Sequence, residues 1–255
     1  MRNLIKYLQT RLRHAGLDIR RTVPQHEAGK WGRPIGVVES FLEDVKERGF
    51  EPRGILDVGA NNGDWTRMAL GFFPEAEVIM IEPQAEMEAA LAAVVVEHPR
   101  CVHVQAGAGR ESGELVQTIW EDLAGSSFLP AVDETALGKG TQRRTRMVTI
   151  DGLLKERPDF HPDLMKLDIQ GFELEALAGA AATFGRTELY IMEASLYEFI
   201  PGTPLARQVI SFMAERGFEL YDIAGKGRRP SDGALAQLDL VFAKEGGRFR
   251  QSNLW

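Results

Sequence analysis

Residues 55–65 read Ile-Leu-Asp-Val-Gly-Ala-Asn-Asn-Gly-Asp-Trp, a stretch with few ways to fold. The apolar run Ile55, Leu56 and Val58 favours a buried strand. Two glycines and two asparagines then turn the chain, and Met68, Ala69, Phe72 and Phe73 recur at helical spacing. A strand, a tight loop and a helix start follow, the unit from which α/β folds are built. Gly59 and Gly63 let backbone approach a ligand closely, and the free N–H groups of a new helix offer donors to something polar.

The order of the glycines narrows the ligand. A dinucleotide loop needs G-x-G-x-x-G so that its second glycine admits a pyrophosphate, whereas the spacing here is Gly59-x-x-x-Gly63 behind Asp57. That argues against NAD. An acidic residue ahead of the loop suits a cationic amino-acid ligand, and S-adenosylmethionine carries a sulfonium and an ammonium but no phosphate. The next strand, Val78-Ile79-Met80-Ile81, delivers Glu82 and Pro83 to its end, where a carboxylate can accept both hydroxyls of a ribose. Taken singly, each of these residues also suits an ordinary α/β loop with a capping Asn or Asp.

The chain of 255 residues is 44% hydrophobic, enough for one sizeable core. The pattern predicts an N-terminal helical extension over 1–50, a domain over 51–245 with an inserted hairpin at 113–150, and a tail over 246–255. A net charge of −7 gives no global reason to bind nucleic acid. The single cysteine, Cys101, excludes an internal disulfide framework and fits a reducing compartment. No secretory signal and no run of about 18 apolar residues is present, so a soluble, cytoplasmic protein is expected. Leu4, Ile5, Leu8 and Leu12 alternate with Arg2, Lys6, Arg11 and Arg13 as an amphipathic basic helix. It suits either an anionic membrane surface or packing against this domain or a second copy in a homo-oligomer.

Helices are expected over 37–48, 85–97, 173–184 and 203–216, the last with Thr203 as its cap. Cys101–Gln105 is a third strand running into Ala106 and Gly107, small residues against which an adenine ring can lie. Gly113–Trp120 and Arg146–Ile150 form the inserted hairpin, with little periodicity between Pro130 and Gly140. Arg143, Arg144 and Arg146 there make a basic cluster, either solvated or facing an acidic sugar or nucleotide-sugar phosphate. The strand Leu164–Ile169 carries Lys166 and Asp168, the strand Leu189–Glu193 carries Glu193, and Phe218–Ile223 and Leu238–Ala243 finish the sheet. Asp168 and Glu193 stand at carboxyl ends of neighbouring strands, where open α/β sheets bind ligands.

Asp57-Val58-Gly59-Ala60-Asn61-Asn62-Gly63, Glu82-Pro83, Thr149-Ile150-Asp151, Lys166-Leu167-Asp168-Ile169-Gln170-Gly171-Phe172-Glu173 and the strand ending in Glu193 resemble the FkbM-type S-adenosylmethionine-dependent methyltransferases over about residues 54–243. The resemblance implies the class I methyltransferase fold, a Rossmann-like seven-stranded mixed sheet ordered 3-2-1-4-5-7-6 with strand 7 antiparallel and helices on both faces. It implies O-methylation, commonly of a sugar hydroxyl in a glycan, a glycolipid or a glycosylated natural product. It further implies that Asp57, Gly59, Asn61 and Gly63 hold the methionine end of the cofactor, that Glu82 holds the ribose and that Asp168 faces the methyl group. Gln170 and Phe172 depart from the family's usual Glu and small residue, which removes a carboxylate at 170 and reshapes the acceptor pocket.

A sugar hydroxyl is a poor nucleophile and needs a base or a metal. Asp168 or Glu193 can be the base, or the two can hold Mg²⁺, for which a third ligand is not obvious and Asp151 is only a candidate. His161 is a weaker candidate base. Lys166 either takes part in catalysis or neutralises Asp168. A nicotinamide oxidoreductase and a noncatalytic methyltransferase-like partner protein remain as alternatives.

Overall fold

The computed structural model describes residues 32–121, 123–129 and 132–252. The basic helix expected at the N-terminus lies outside them. The chain divides into a unit over Met1–Pro34 and a unit over Ile35–Trp255, and the fold that follows is that of the second.

In chain order the strands are β1 (Gly54–Val58), β2 (Glu77–Ile81), β3 (Cys101–Val104), β4 (Gly107–Ala108), β5 (Gly113–Thr118), β6 (Gln142–Val148), β7 (Pro162–Leu167), β8 (Leu189–Ser195), β9 (Phe218–Arg228) and β10 (Leu235–Lys244). The α-helices are α1 (Val38–Glu47), α2 (Asp64–Phe72), α3 (Glu88–Glu97), α4 (Glu134–Lys139), α5 (Ile150–Glu156), α6 (Glu173–Ala178) and α7 (Ala206–Ala214). Seven strands make one sheet in the order β3-β2-β1-β7-β8-β10-β9. β1 pairs parallel with both β2 and β7, while β10 runs antiparallel to β8 and β9. Every residue of β1 and β7 is buried, as strands covered on both faces must be.

The two-residue period of a strand sorts the core into two layers. Leu56, Val58, Ile79, Ile81, Met165, Leu167, Tyr190 and Met192 face α5, α6 and α7 through Leu153, Leu177, Val209 and Met213. Ile55, Val78, Met80, Leu164 and Ile191 face α1, α2 and α3 through Phe41, Leu42, Leu70 and Leu91. The helix over 38–47 is therefore part of the core packing. Cys101 is buried in this second layer, and burial raises its thiol to about 11, which makes it an inert core residue.

Several elements differ from expectation. The inserted hairpin is present as β5 paired antiparallel with β6, but β4 joins β6 in parallel, giving a second, three-stranded sheet. The stretch with little periodicity contains α4, because the Asp133 carboxylate accepts the N–H groups of Thr135 and Ala136 and starts a helix too short to show a period. Ile150 belongs to α5, whose cap is Thr149 accepting from Gly152. The helix expected to begin behind Thr203 starts at Ala206, with Gln208 reaching back to the Leu205 N–H. The helix expected over 173–184 stops at Ala178, and Asp151 accepts the N–H groups of Ala181 and Ala182 to start a separate turn.

Candidate active site

The loop after β1 is shaped by close approach. Gly59 has φ of 80°, and a Cβ there would collide with the carbonyl oxygen of Asp168 at the end of β7. Gly63 caps α2 with φ of 84°, and a Cβ would press on Val94 of α3 at 2.7 Å. Between them Asn61 also takes a left-handed φ of 47°, and its side-chain Oδ1 accepts the Asn62 N–H at 2.7 Å. Asn tolerates this region because its side chain bonds locally.

Glu82 stands at the end of β2, buried, and each carboxylate oxygen accepts one backbone N–H. Oε2 accepts from Asn61 and Oε1 from Gln84, both at 2.9 Å. Burial raises its pKa, opposed by those N–H groups and by Lys166. Both oxygens keep a lone pair for a further donor.

These pieces border a cavity of about 280 Å³ lined by Gly59, Asn61, Glu82, Pro83, Ala106, Gly107, Lys166 and Asp168, all predicted from sequence. Three predicted residues lie behind its wall. Asp57 is wholly buried, accepts the Thr66 hydroxyl at 2.6 Å and sits 3.2 Å from Lys166 Nζ. It anchors Lys166 and α2 from behind the loop and does not itself line the cavity. Gly63 serves the packing of α2 on α3. Glu193 is held behind Gln170.

Lys166 is buried and donates to the Gly59 carbonyl at 2.6 Å. Burial pulls its pKa down, but Asp57 and then Asp168 and Glu82 hold it above the ordinary lysine value, so it stays charged. It neutralises the carboxylates around it and is no proton acceptor. Its Nζ lies 3.8 Å from Asp168 Oδ2.

Asp168 keeps 42% of its side chain exposed. The Gln170 amide nitrogen donates to Asp168 Oδ1 and to Glu193 Oε2, each at 3.0 Å. Burial, reinforced by Asp168, Glu173 and Asp239, raises the pKa of Glu193 well above its ordinary value. Asp239 stands opposite Glu193 in the β8–β10 register, and burial with Asp168 nearby pushes it to about 6. Glu173 is pushed to about 7 by burial, although the N–H groups of Ile169 and Gly171 both donate to its Oε1.

The ligand set gives the Mg²⁺ alternative no support. Among the described residues no group of three or more His, Cys, Asp or Glu side chains is placed to hold a metal. Both oxygens of Asp151 accept backbone N–H groups, and an amide that repels cations lies between Asp168 and Glu193. His161 precedes β7, at the end of the strand opposite Asp168, beside Asp163.

The sequence reading missed the far wall. Gln117, Ser126 and Phe128 of the inserted region border the cavity. Ser127 Oγ donates to the Gln170 carbonyl at 2.8 Å, and Gln84 Nε2 donates to the Leu123 carbonyl at 3.0 Å. Arg143 makes a two-pronged ion pair with Glu86, which takes it out of the basic cluster expected to meet an acidic acceptor. Gln84 Oε1 is buried and has no partner among the described residues.

A parallel sheet in this order, closed by one reversed strand and carrying a cleft with an acid at the end of its second strand, is the class I methyltransferase fold. The chain belongs to the FkbM methyltransferase family, since the methyltransferase FkbM domain matches residues 57–220, more than half of its length. Methyltransferase 1 of Beauveria bassiana (strain ARSEF 2860) is 28% identical over 148 residues, 49% of this chain and 57% of that protein. The match thus spans little more than half the length of that relative. Among solved structures, methyltransferase FkbM from Methylobacillus flagellatus KT is similar at 16% identity and a TM-score of 0.47, over 75% of this chain and 43% of that one. The 1,6-didemethyltoxoflavin-N1-methyltransferase of Burkholderia thailandensis, solved with 1,6-didemethyltoxoflavin and S-adenosylhomocysteine, is similar at 13% identity and a TM-score of 0.44, over 82% and 76%.

Proposed function

We propose that this protein transfers the methyl group of S-adenosylmethionine to a hydroxyl, that of a sugar in a glycan, a glycolipid or a glycosylated natural product. The observation that carries the reading is Glu82. It is a buried acid at the cavity wall with both oxygens oriented by backbone N–H groups, and it suits two adjacent ribose hydroxyls. Gln84 Oε1, lacking a donor, suits the amino group of an adenine. The Gly59–Asn61 backbone would take the methionine end, with Ala106 and Gly107 beneath the base.

The sulfonium supplies a methyl carbon already activated for in-line displacement, so the protein's part is alignment and proton removal. Asp168, open to solvent beside the loop, accepts the proton of the acceptor hydroxyl as the oxygen attacks. Lys166 offsets the negative charge around it. Tyr197 and Phe199 follow β8 with rings 5.8 Å apart and exposures of 38% and 48%. Thr203, later in the same segment, packs beside Gly171. Arg229 stacks over the Tyr197 ring at 4.1 Å, and the half-exposed Phe199 beside it would suit a ring-shaped, partly apolar acceptor such as a sugar.

Isothermal titration with S-adenosylmethionine, S-adenosylhomocysteine and NAD tests the cofactor. Saturable binding of both adenosyl ligands, weakened in Glu82→Ala, is expected, followed by transfer of labelled methyl to a panel of sugar acceptors. Silence toward both, or preference for NAD, would overturn the reading.

A further inference from the structure

Asp168 and Glu193 extend from neighbouring parallel strands toward the same point, and what lies at that point is a neutral side chain. We propose that Gln170 is the positioning residue of Asp168, its amide filling the place between the two carboxylates that a divalent cation would otherwise take. The orientation of the proposed base is then set without a metal. The inference rests on the reading of Asp168 as that base.

An amide nitrogen carries two protons in one plane, so it can donate once to Asp168 Oδ1 and once to Glu193 Oε2, both 3.0 Å away. No other uncharged side chain except asparagine can do this, and a carboxylic acid offers a single proton. The opposite rotamer would turn a carbonyl oxygen toward Asp168 Oδ1, leaving two acceptors face to face, which favours the donor orientation. The residue is held from its backbone as well. Its φ of 55° is one that non-glycine residues seldom adopt, its carbonyl accepts the Ser127 hydroxyl, and the following Gly171 N–H is held by Glu173. A local conformation this constrained is sustained by its surroundings for the sake of where the side chain arrives.

The charges around the bridge explain the need for it. Glu193 on β8 meets Asp239 on β10 and Glu173 on α6, and Asp168 meets Lys166 on β7, itself shared with Asp57 on β1. One ammonium serves several acids, and its nearest approach to Asp168 is to Oδ2, at 3.8 Å. The amide supplies the missing donors on the Oδ1 side. With it in place Asp168 keeps one oxygen tied and its exposed remainder directed at the cleft.

Two arms test this. In the first, which needs no acceptor, Mn²⁺ binding is measured by electron paramagnetic resonance on the whole protein and on Gln170→Glu. The variant brings a third carboxylate to the pair and is expected to bind one equivalent more than the unaltered chain. Equal binding by both, at any level, would overturn the claim that the amide holds a cation's place. In the second arm, Gln170→Ala is expected to bind S-adenosylhomocysteine normally while kcat falls on the order of tenfold to a hundredfold. Its KM for S-adenosylmethionine should stay unchanged, so that the loss falls on kcat alone. The unaltered enzyme should be insensitive to EDTA. An unchanged kcat in Gln170→Ala, or loss of activity in EDTA restored by Mg²⁺, would overturn the proposal. Failure of the unaltered protein to methylate any sugar would instead strike the acceptor reading, leaving the Mn²⁺ result to decide the role of Gln170.

Discussion

The two ends of the cleft are made of different materials. At β1 and β2 the wall is largely backbone, with Gly59, Asn61 and the N–H groups of Asn61 and Gln84 arranged around one acid. At β7, β8 and β10 it is a network of side chains in which Asp168, Gln170, Glu193, Asp239 and Lys166 hold one another. Backbone donors are fixed by the fold and carry no titration, so they suit an invariant ligand. A side-chain network can change protonation and suits a reaction that moves a proton.

The sharpest way to break this contrast is Asp168→Asn. Turnover should fall about 10²- to 10⁴-fold with S-adenosylmethionine affinity retained by titration calorimetry, and unchanged turnover would remove Asp168 from the mechanism. Next comes Glu173, whose shift from 4.5 to about 7 means the folded state binds its proton more tightly than the unfolded chain. Stability from this group is therefore full below pH 4.5 and is lost as pH rises through about 7, a loss of about 3 kcal/mol at about 1.4 kcal/mol per unit. Glu173→Gln keeps an oxygen that can accept from Ile169 and Gly171. It should flatten the fall in Tm across that range, and an unaltered pH dependence would contradict the assignment. On the backbone side, Glu82→Ala removes a charged acceptor and should weaken S-adenosylmethionine by about 1.5–3 kcal/mol in calorimetry. It should leave the pH dependence of turnover at saturation in place. The smallest effect is expected for Ser127→Ala, which loses one hydrogen bond between the inserted region and the Gln170 carbonyl. About 1 kcal/mol of stability in urea titration is the expected cost.

The same contrast governs what the sequence disclosed. The backbone half was legible because glycine and asparagine spacing reports directly on left-handed turns, and Gly59, Asn61, Glu82 and Pro83 all border the cavity. The sheet order followed from the resemblance, and the reversed β10 agrees with it. The side-chain half was legible only in its members. Asp168 and Glu193 could be placed on one rim by strand order, but Gln170 stood out merely as a departure, because nothing in sequence says that its amide spans two strands. The packing role of Asp57 was hidden for the same reason. Its partners, Thr66 nine residues on and Lys166 on β7, are brought to it by packing alone. The inserted sheet was half seen, since two-residue β4 is too short for any alternation to register.

The contact between Gly59 and the Asp168 carbonyl has one more implication. Donor loop and proposed base are referenced to the same few atoms, where two neighbouring parallel strands end with no clearance between them. The Asp168 N–H also donates to the Val58 carbonyl at 3.0 Å, so β1 and β7 move as a pair at this end, and a displacement of that pair carries loop and carboxylate together and cancels in the distance between them. An in-line reaction tolerates such shared motion far better than relative motion of the same size. The glycine thus acts as a mechanical datum for the reaction as well as a space for a ligand.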